Sequence, residues 1–259
     1  MPTARRVAVP LLAILFVTVT LLLSAVVYLL GGSPLGRERG MVYADAPADG
    51  GAVPITAVVI DAGHGGEDGG ASSASGVVEK GVNLSVSFAL RDLFEAAGIP
   101  VVMTRTEDIL LYDRNVDFQG RKKVLDLAAR QLVAERIAEA ASREGGTSLF
   151  ISIHMNAFPA PQYSGMQVWY GVGNTTSQTV ADAIQAASLS LMPSNRRKTK
   201  AAGSSIYLLE HIRTPAVLVE CGFLSNAEET QLLKTEAHQL RLALAILCGY
   251  YADKEEVPK

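Results

Sequence analysis

Three short apolar runs restrict the fold more than anything else in this sequence of 259 residues. They are "AVVI" ending at Ile60, "LFISI" ending at Ile153 and "AVLV" ending at Val219. Each is too apolar on both faces to lie half-exposed in an antiparallel sheet, and each is too short for a helix. Runs of this kind are the inner strands of a parallel sheet with both faces covered. Helical patterns stand between them. Lys80 to Ala97 carries Leu84, Phe88 and Leu93 near one face, with Gly98 as its stop, and Lys122 to Ala141 is a long amphipathic segment ending at Gly145-Gly146. Further strands are expected at Ile99 to Met103 and Met166 to Tyr170. Further helices are expected at Ser177 to Leu191, at Asn226 to Lys234 with a capping-box-like pattern from Asn226 to Glu229, and from Glu236 to Tyr251. The expected fold is an α/β single domain, with a mainly parallel central sheet covered by helices on both faces and an N-terminal transmembrane helix before it.

That preceding helix is read from Val7 to Leu30, a stretch with no charged residue that accounts for much of the 49% hydrophobic content. At about 1.5 Å per residue it spans roughly 36 Å, enough for a bilayer core of about 30 Å. Arg5 and Arg6 precede it and favour an inside N-terminus. The run is longer than the core of a cleaved signal peptide, and Ala44-Asp45-Ala46, the nearest small-x-small site, is far beyond it. The expected organisation is a signal anchor at 1–31, a Gly/Pro/Ala/Asp-rich linker at 32–54, a catalytic domain at 55–252 and a tail at 253–259. The domain would be membrane-anchored and extracytoplasmic; secretion after signal cleavage is the alternative. A net charge of −3, with no basic block outside Arg196 to Lys200, argues against nucleic acid, and that basic run reads as a solvated loop. Cys221 and Cys248 belong to no CxxC pair; one disulfide between them is the alternative, and both are read as buried, inert thiols.

Each buried run ends on a polar residue. Asp61 and then His64 follow the first, His154 and Asn156 the second, and Glu220 the third. In open α/β sheets ligands bind outside the carboxyl ends of the strands. Glu79 joins this edge at the start of the first helix. Two imidazoles and a carboxylate are a common shell for catalytic zinc, with a further carboxylate as general base. The glycines around His64 let the chain turn sharply and approach closely. Asp61 is expected to accept a hydrogen bond from a ligand imidazole. Arg105 and Asn156 are candidate contacts for a peptide carboxylate or carbonyl, with a structural salt bridge as the other reading of Arg105. His211 and His238 carry no assigned role. Met155 is expected to point away from His154.

Five ordered motifs, "DAGHGGEDGGA", "GVVEKGVNLSVSFAL", "VVMTRTED", "LFISIHMNA" and "PAVLVECGFLSN", resemble those of the zinc-dependent N-acetylmuramoyl-L-alanine amidases. The segment "RRKTKAAGSSIYLLEHIRTPAVLVE" is similar to the spore-cortex branch of that family. The resemblance implies one Zn2+ per chain held by His64, Glu79 and His154, with Glu220 as the catalytic glutamate. It implies hydrolysis of the amide between N-acetylmuramic acid and L-alanine of peptidoglycan during cortex maturation, where muramic δ-lactam forms. It also implies a functional link to a muramic acid deacetylase and a lipoprotein activator. Competing expectations are a carboxypeptidase of the same substrate, a non-catalytic wall-binding protein, and an amidase latent until a partner binds.

Overall fold

The computed structural model describes residues 53–255 apart from 114 and 116–119. The expected anchor, nearly all of the linker and the end of the tail lie outside the described residues. No helix among the described residues is long and apolar enough to cross a membrane.

The chain runs β1 (Ile55–Ala62), α1 (Glu79–Ala96), β2 (Val101–Met103), α2 (Lys122–Arg143), β3 (Thr147–Asn156), β4 (Gln167–Tyr170), α3 (Thr175–Leu191), β5 (Lys200–Ala201), α4 (Tyr207–His211), β6 (Ala216–Phe223), α5 (Ala227–Leu233) and α6 (Glu236–Glu255). The six strands form one sheet in the order β2-β1-β3-β6-β4-β5. β2, β1, β3 and β6 are parallel, while β4 runs antiparallel to β6 and carries β5 alongside it. The three apolar runs are thus neighbouring central strands.

Alternation along these strands explains why the runs had to be apolar throughout. Val58, Ile60, Leu149, Ile151, Val217 and Val219 enter one core with residues of α1, α3 and α6. Val59, Phe150 and Leu218 enter a second, smaller core with residues of α2 and α4. Most of these side chains are fully buried, each contributing about 1.5–3 kcal/mol relative to exposure. Phe94 of α1 meets Tyr250 of α6 edge-on, their ring centroids 5.2 Å apart. Met155 lies in the larger core, facing away from His154 as expected.

The structure corrects two details. Cys221 is buried, but Cys248 is exposed and both thiols are free. Asn226 caps α5 by accepting from the Glu229 amide, as its pattern suggests. The Glu229 carboxylate does not return to the cap. It accepts instead from the amides of Gly165 and Phe223, tying the segment before β4 to the end of β6.

Strand order also locates the site. From β1 the chain moves outward to β2, and then crosses back over β1 to reach β3. From β3 it continues toward the opposite edge of the sheet. The connections leaving the paired carboxyl ends of β1 and β3 therefore run in opposite directions along the sheet, and such a switch point opens a crevice there.

Candidate metal centre

His64, Glu79 and His154 meet at that crevice, with one donor atom of each lying within 4.8 Å of the others. Glu79 is the first residue of α1, where a carboxylate is favoured by the helix dipole. Its Oε1 lies 3.2 Å from His64 Nε2 and 3.0 Å from His154 Nδ1, and it also accepts from the Met155 amide. Its Oε2 accepts from the Ala71 amide. The imidazole rings stand edge to face, with centroids 4.9 Å apart. Two nitrogens and one oxygen thus converge on a single point, and this donor set suits zinc.

The electrostatics fit a cation. Burial pushes the Glu79 carboxyl up, but the hydrogen bonds and charges of His154 and His64 outweigh it and hold the group well below the usual carboxylate range. Burial pushes His64 down, but Glu79 and Asp68 outweigh it and raise its pKa above the ordinary imidazole value. Metal binding must therefore displace protons.

His64 is the one non-glycine among the described residues with a left-handed backbone, at φ 62°. Such a conformation costs on the order of 1–3 kcal/mol and needs support from its surroundings. Two buried arginines supply it. Arg130 of α2 donates to the carbonyls of His64 (2.7 Å) and Ala62 (2.8 Å), and pairs with Asp61 and Asp126. Arg105 donates to the carbonyls of Ala62, Gly63, Glu107 and Lys80. Three successive carbonyls leading into His64 are thus held by guanidinium groups. Asn83 of α1 adds a bond to the Gly63 carbonyl and one to Glu79 Oε1.

The loop glycines have steric reasons as well. A Cβ on Gly63 would collide with the His154 ring, and one on Gly70, which sits at φ 68°, would lie 2.5 Å from Glu79 Oε2 and 2.7 Å from His64 Cδ2.

Three expectations change here. Asp61 is fully buried, and its oxygens accept from Arg130, Thr104 and Ser152 rather than from an imidazole. The carboxylate beside His64 is Asp68, whose Oδ2 lies 2.9 Å from Nδ1, within ion-pair reach although the ring N–H does not line up on it. Arg105 is buried with its donors spent on main-chain carbonyls, so it neither faces a ligand nor forms the salt bridge weighed for it. Asn156 ends β3 and lines a groove beside the site. Arg130 was legible in the sequence as half of an i,i+4 charge pair with Asp126, since both stand on the buried stripe of α2. Asp68 had no comparable signal.

Glu220 stands beside His154 in the sheet register. Its Oε2 is buried with no hydrogen-bond partner. Burial pushes its carboxyl up to about 7, His154 and His64 oppose that rise, and Glu79 reinforces it. A carboxyl poised near neutrality at a cluster of metal donors is suited to general base work. A cavity of about 170 Å³ opens alongside, lined among others by His64, His154, Arg130 and Leu208.

Residues 58–250 match the family model described as N-acetylmuramoyl-L-alanine amidase. The germination-specific N-acetylmuramoyl-L-alanine amidase of Bacillus subtilis (strain 168) is 35% identical over 206 residues, covering 78% of this chain and 82% of the relative. The CwlD amidase of Clostridioides difficile, solved in complex with the GerS lipoprotein, superimposes with a TM-score of 0.69 at 34% identity, covering 77% of this chain and 98% of that one. The catalytic domain of CwlV, an N-acetylmuramoyl-L-alanine amidase from Bacillus (Paenibacillus) polymyxa var. colistinus, gives a TM-score of 0.63 at 27% identity, covering 79% and 100%.

Proposed function

The chain belongs to the N-acetylmuramoyl-L-alanine amidase family, and from that premise we propose a zinc-dependent peptidoglycan amidase of the spore cortex that works with His64, Glu79, His154 and Glu220. Membership carries the reaction, hydrolysis of the amide joining N-acetylmuramic acid to L-alanine. The residue roles rest chiefly on one observation. The Glu220 carboxylate has a buried oxygen with no partner, beside three donors that converge on one point.

In this reading His64, Glu79 and His154 would hold the metal. When bound, zinc supplies a Lewis acid that polarises the amide carbonyl and acidifies water. Glu220 accepts the proton of the attacking water and passes it to the departing amine of L-alanine. Asp68 restrains the His64 ring, and Arg130 and Arg105 fix the main chain that carries it. The non-catalytic wall-binding reading finds no support, because all four groups are present and brought together.

The cortex role is supported by the germination-specific relative. A lipoprotein partner is supported by the GerS complex of the C. difficile amidase. The membrane anchor at 1–31 rests on the apolar run alone. The deciding experiment measures zinc per chain and, in the same sample, release from peptidoglycan of peptides with a free N-terminal L-alanine. About one zinc with release is expected. A full zinc site without release refutes the amidase reading. Zinc-poor protein without release identifies the latent, partner-dependent form.

A further inference from the structure

An open groove of about 430 Å³ starts where the reactive row of side chains ends, and Asn156, Gln167, Trp169, Arg197, Lys200 and Phe223 are among its lining residues. His154, Glu220 and Gln167 are lateral neighbours on β3, β6 and β4. Trp169 packs with Leu218 in the smaller core, so by alternation Gln167 and Glu220 share that face of the sheet. Gln167 Nε2 donates to the Lys198 carbonyl, and its Oε1 accepts from Arg197 Nη2, which ties the segment before β5 to the sheet beside Glu220. Two cations border the groove, each resting on an aromatic ring. The Arg197 guanidinium lies 5.1 Å from the Phe223 centroid, and Lys200 Nζ lies 4.4 Å from that of Trp169. Among the described residues, no carboxylate lines the groove.

We propose that this groove binds the peptide half of the substrate, with Arg197 and Lys200 pairing to the carboxylates that follow L-alanine in the stem. The proposal rests on the amidase reading given above. Amide cleavage divides an uncharged sugar, whose lactyl carboxyl is consumed in the bond, from a peptide that keeps free carboxylates. Only the peptide half answers the charge of the groove. Trp169 and Phe223 each carry a cation, while the other two aromatic rings of the lining, Phe158 and Tyr163, pack edge to face on each other, so charge is what the groove offers beside Gln167. Isolated surface charges contribute little. Here the two are held on rings at one mouth leading from the base, which favours charge complementarity as a source of specificity.

The test uses the full chain and two substrates, N-acetylmuramoyl-L-alanyl-D-glutamate with both glutamate carboxylates free, and its bis-amide. The wild type should favour the free acid through a lower KM. Lys200→Glu, a change at an exposed position, should raise KM for the free acid by about three- to tenfold, with kcat and the bis-amide nearly unaffected. Added salt should erase the preference. Calorimetric titration with L-alanyl-D-glutamate needs no turnover and should show weaker binding to Lys200→Glu and to Arg197→Gln. If zinc-loaded protein cleaves neither substrate but the dipeptide binds with this charge dependence, the amidase reading fails and the groove stands. Equal handling of both substrates, or dipeptide binding indifferent to both substitutions, overturns the proposal.

Discussion

Replacing Arg130 by Met keeps most of the side-chain volume and removes the charge. Two buried carboxylates, Asp61 and Asp126, then lose their partner, and the carbonyls of Ala62 and His64 lose a donor. Stripping one partner from a buried pair costs about 3–5 kcal/mol. Each buried carbonyl left unpaired adds about 1–3 kcal/mol, although groups sharing one site do not add in full. The expected loss is about 4–6 kcal/mol, against a total stability of about 5–15 kcal/mol for ordinary proteins. That corresponds to a Tm lowered by roughly 10–20 °C for a domain of this size. The pH dependence carries a signature. In the wild type, burial pushes the Asp61 carboxyl up, but Arg130 and the Ser152 and Thr104 hydroxyls outweigh it and hold the group below its ordinary value. A lowered carboxylate contributes stability above its unfolded pKa, about 3.9, and loses it as pH falls through the folded value. Without Arg130, burial dominates and Asp61 titrates above 3.9, so the variant is most deficient at neutral pH and the gap narrows on acidification. Urea unfolding of wild type and variant at pH 7 and pH 4.5 measures this directly. A difference under about 1 kcal/mol at pH 7, or one that widens in acid, refutes the reasoning.

Other substitutions probe the centre itself. Glu220→Gln should abolish turnover while the chain keeps its metal, and retained turnover would remove Glu220 as the base. The same change should stabilise the metal-free protein above pH 7 by about 1–3 kcal/mol, because a carboxyl raised to about 7 is a burden to the fold once ionised; thermal unfolding at pH 8 against pH 5 checks the sign. Gly70→Ala, which drives a methyl against Glu79 and His64 and strains a left-handed backbone, should weaken zinc binding by about tenfold or more, read by competition with a chelator. Zinc affinity should fall as pH drops through and below the raised His64 pKa, and affinity flat from pH 8 to pH 5.5 would argue against imidazole ligation.

The sequence by itself determined the layered α/β fold. Apolar runs with no polar face can only be central strands, and the segments between them carry a helical period. It also determined which residues gather, because strand ends in such a sheet share one edge, and His64, His154 and Glu220 each follow a buried run. Two elements escaped, β5 and α4, since two and five residues are too few to establish a period. What only the tertiary structure decided is which partner each polar group takes. Asp61 stands close in sequence to the imidazole it was expected to serve and Arg105 was expected at the substrate or in a salt bridge, yet Asp61 pairs with Arg130, 69 residues away, and Arg105 turns inward to main-chain carbonyls. The physical reason is that hydrophobic pattern is a local, periodic property. Hydrogen-bond satisfaction is settled group by group, by whatever donors and acceptors the packed chain brings within about 3 Å.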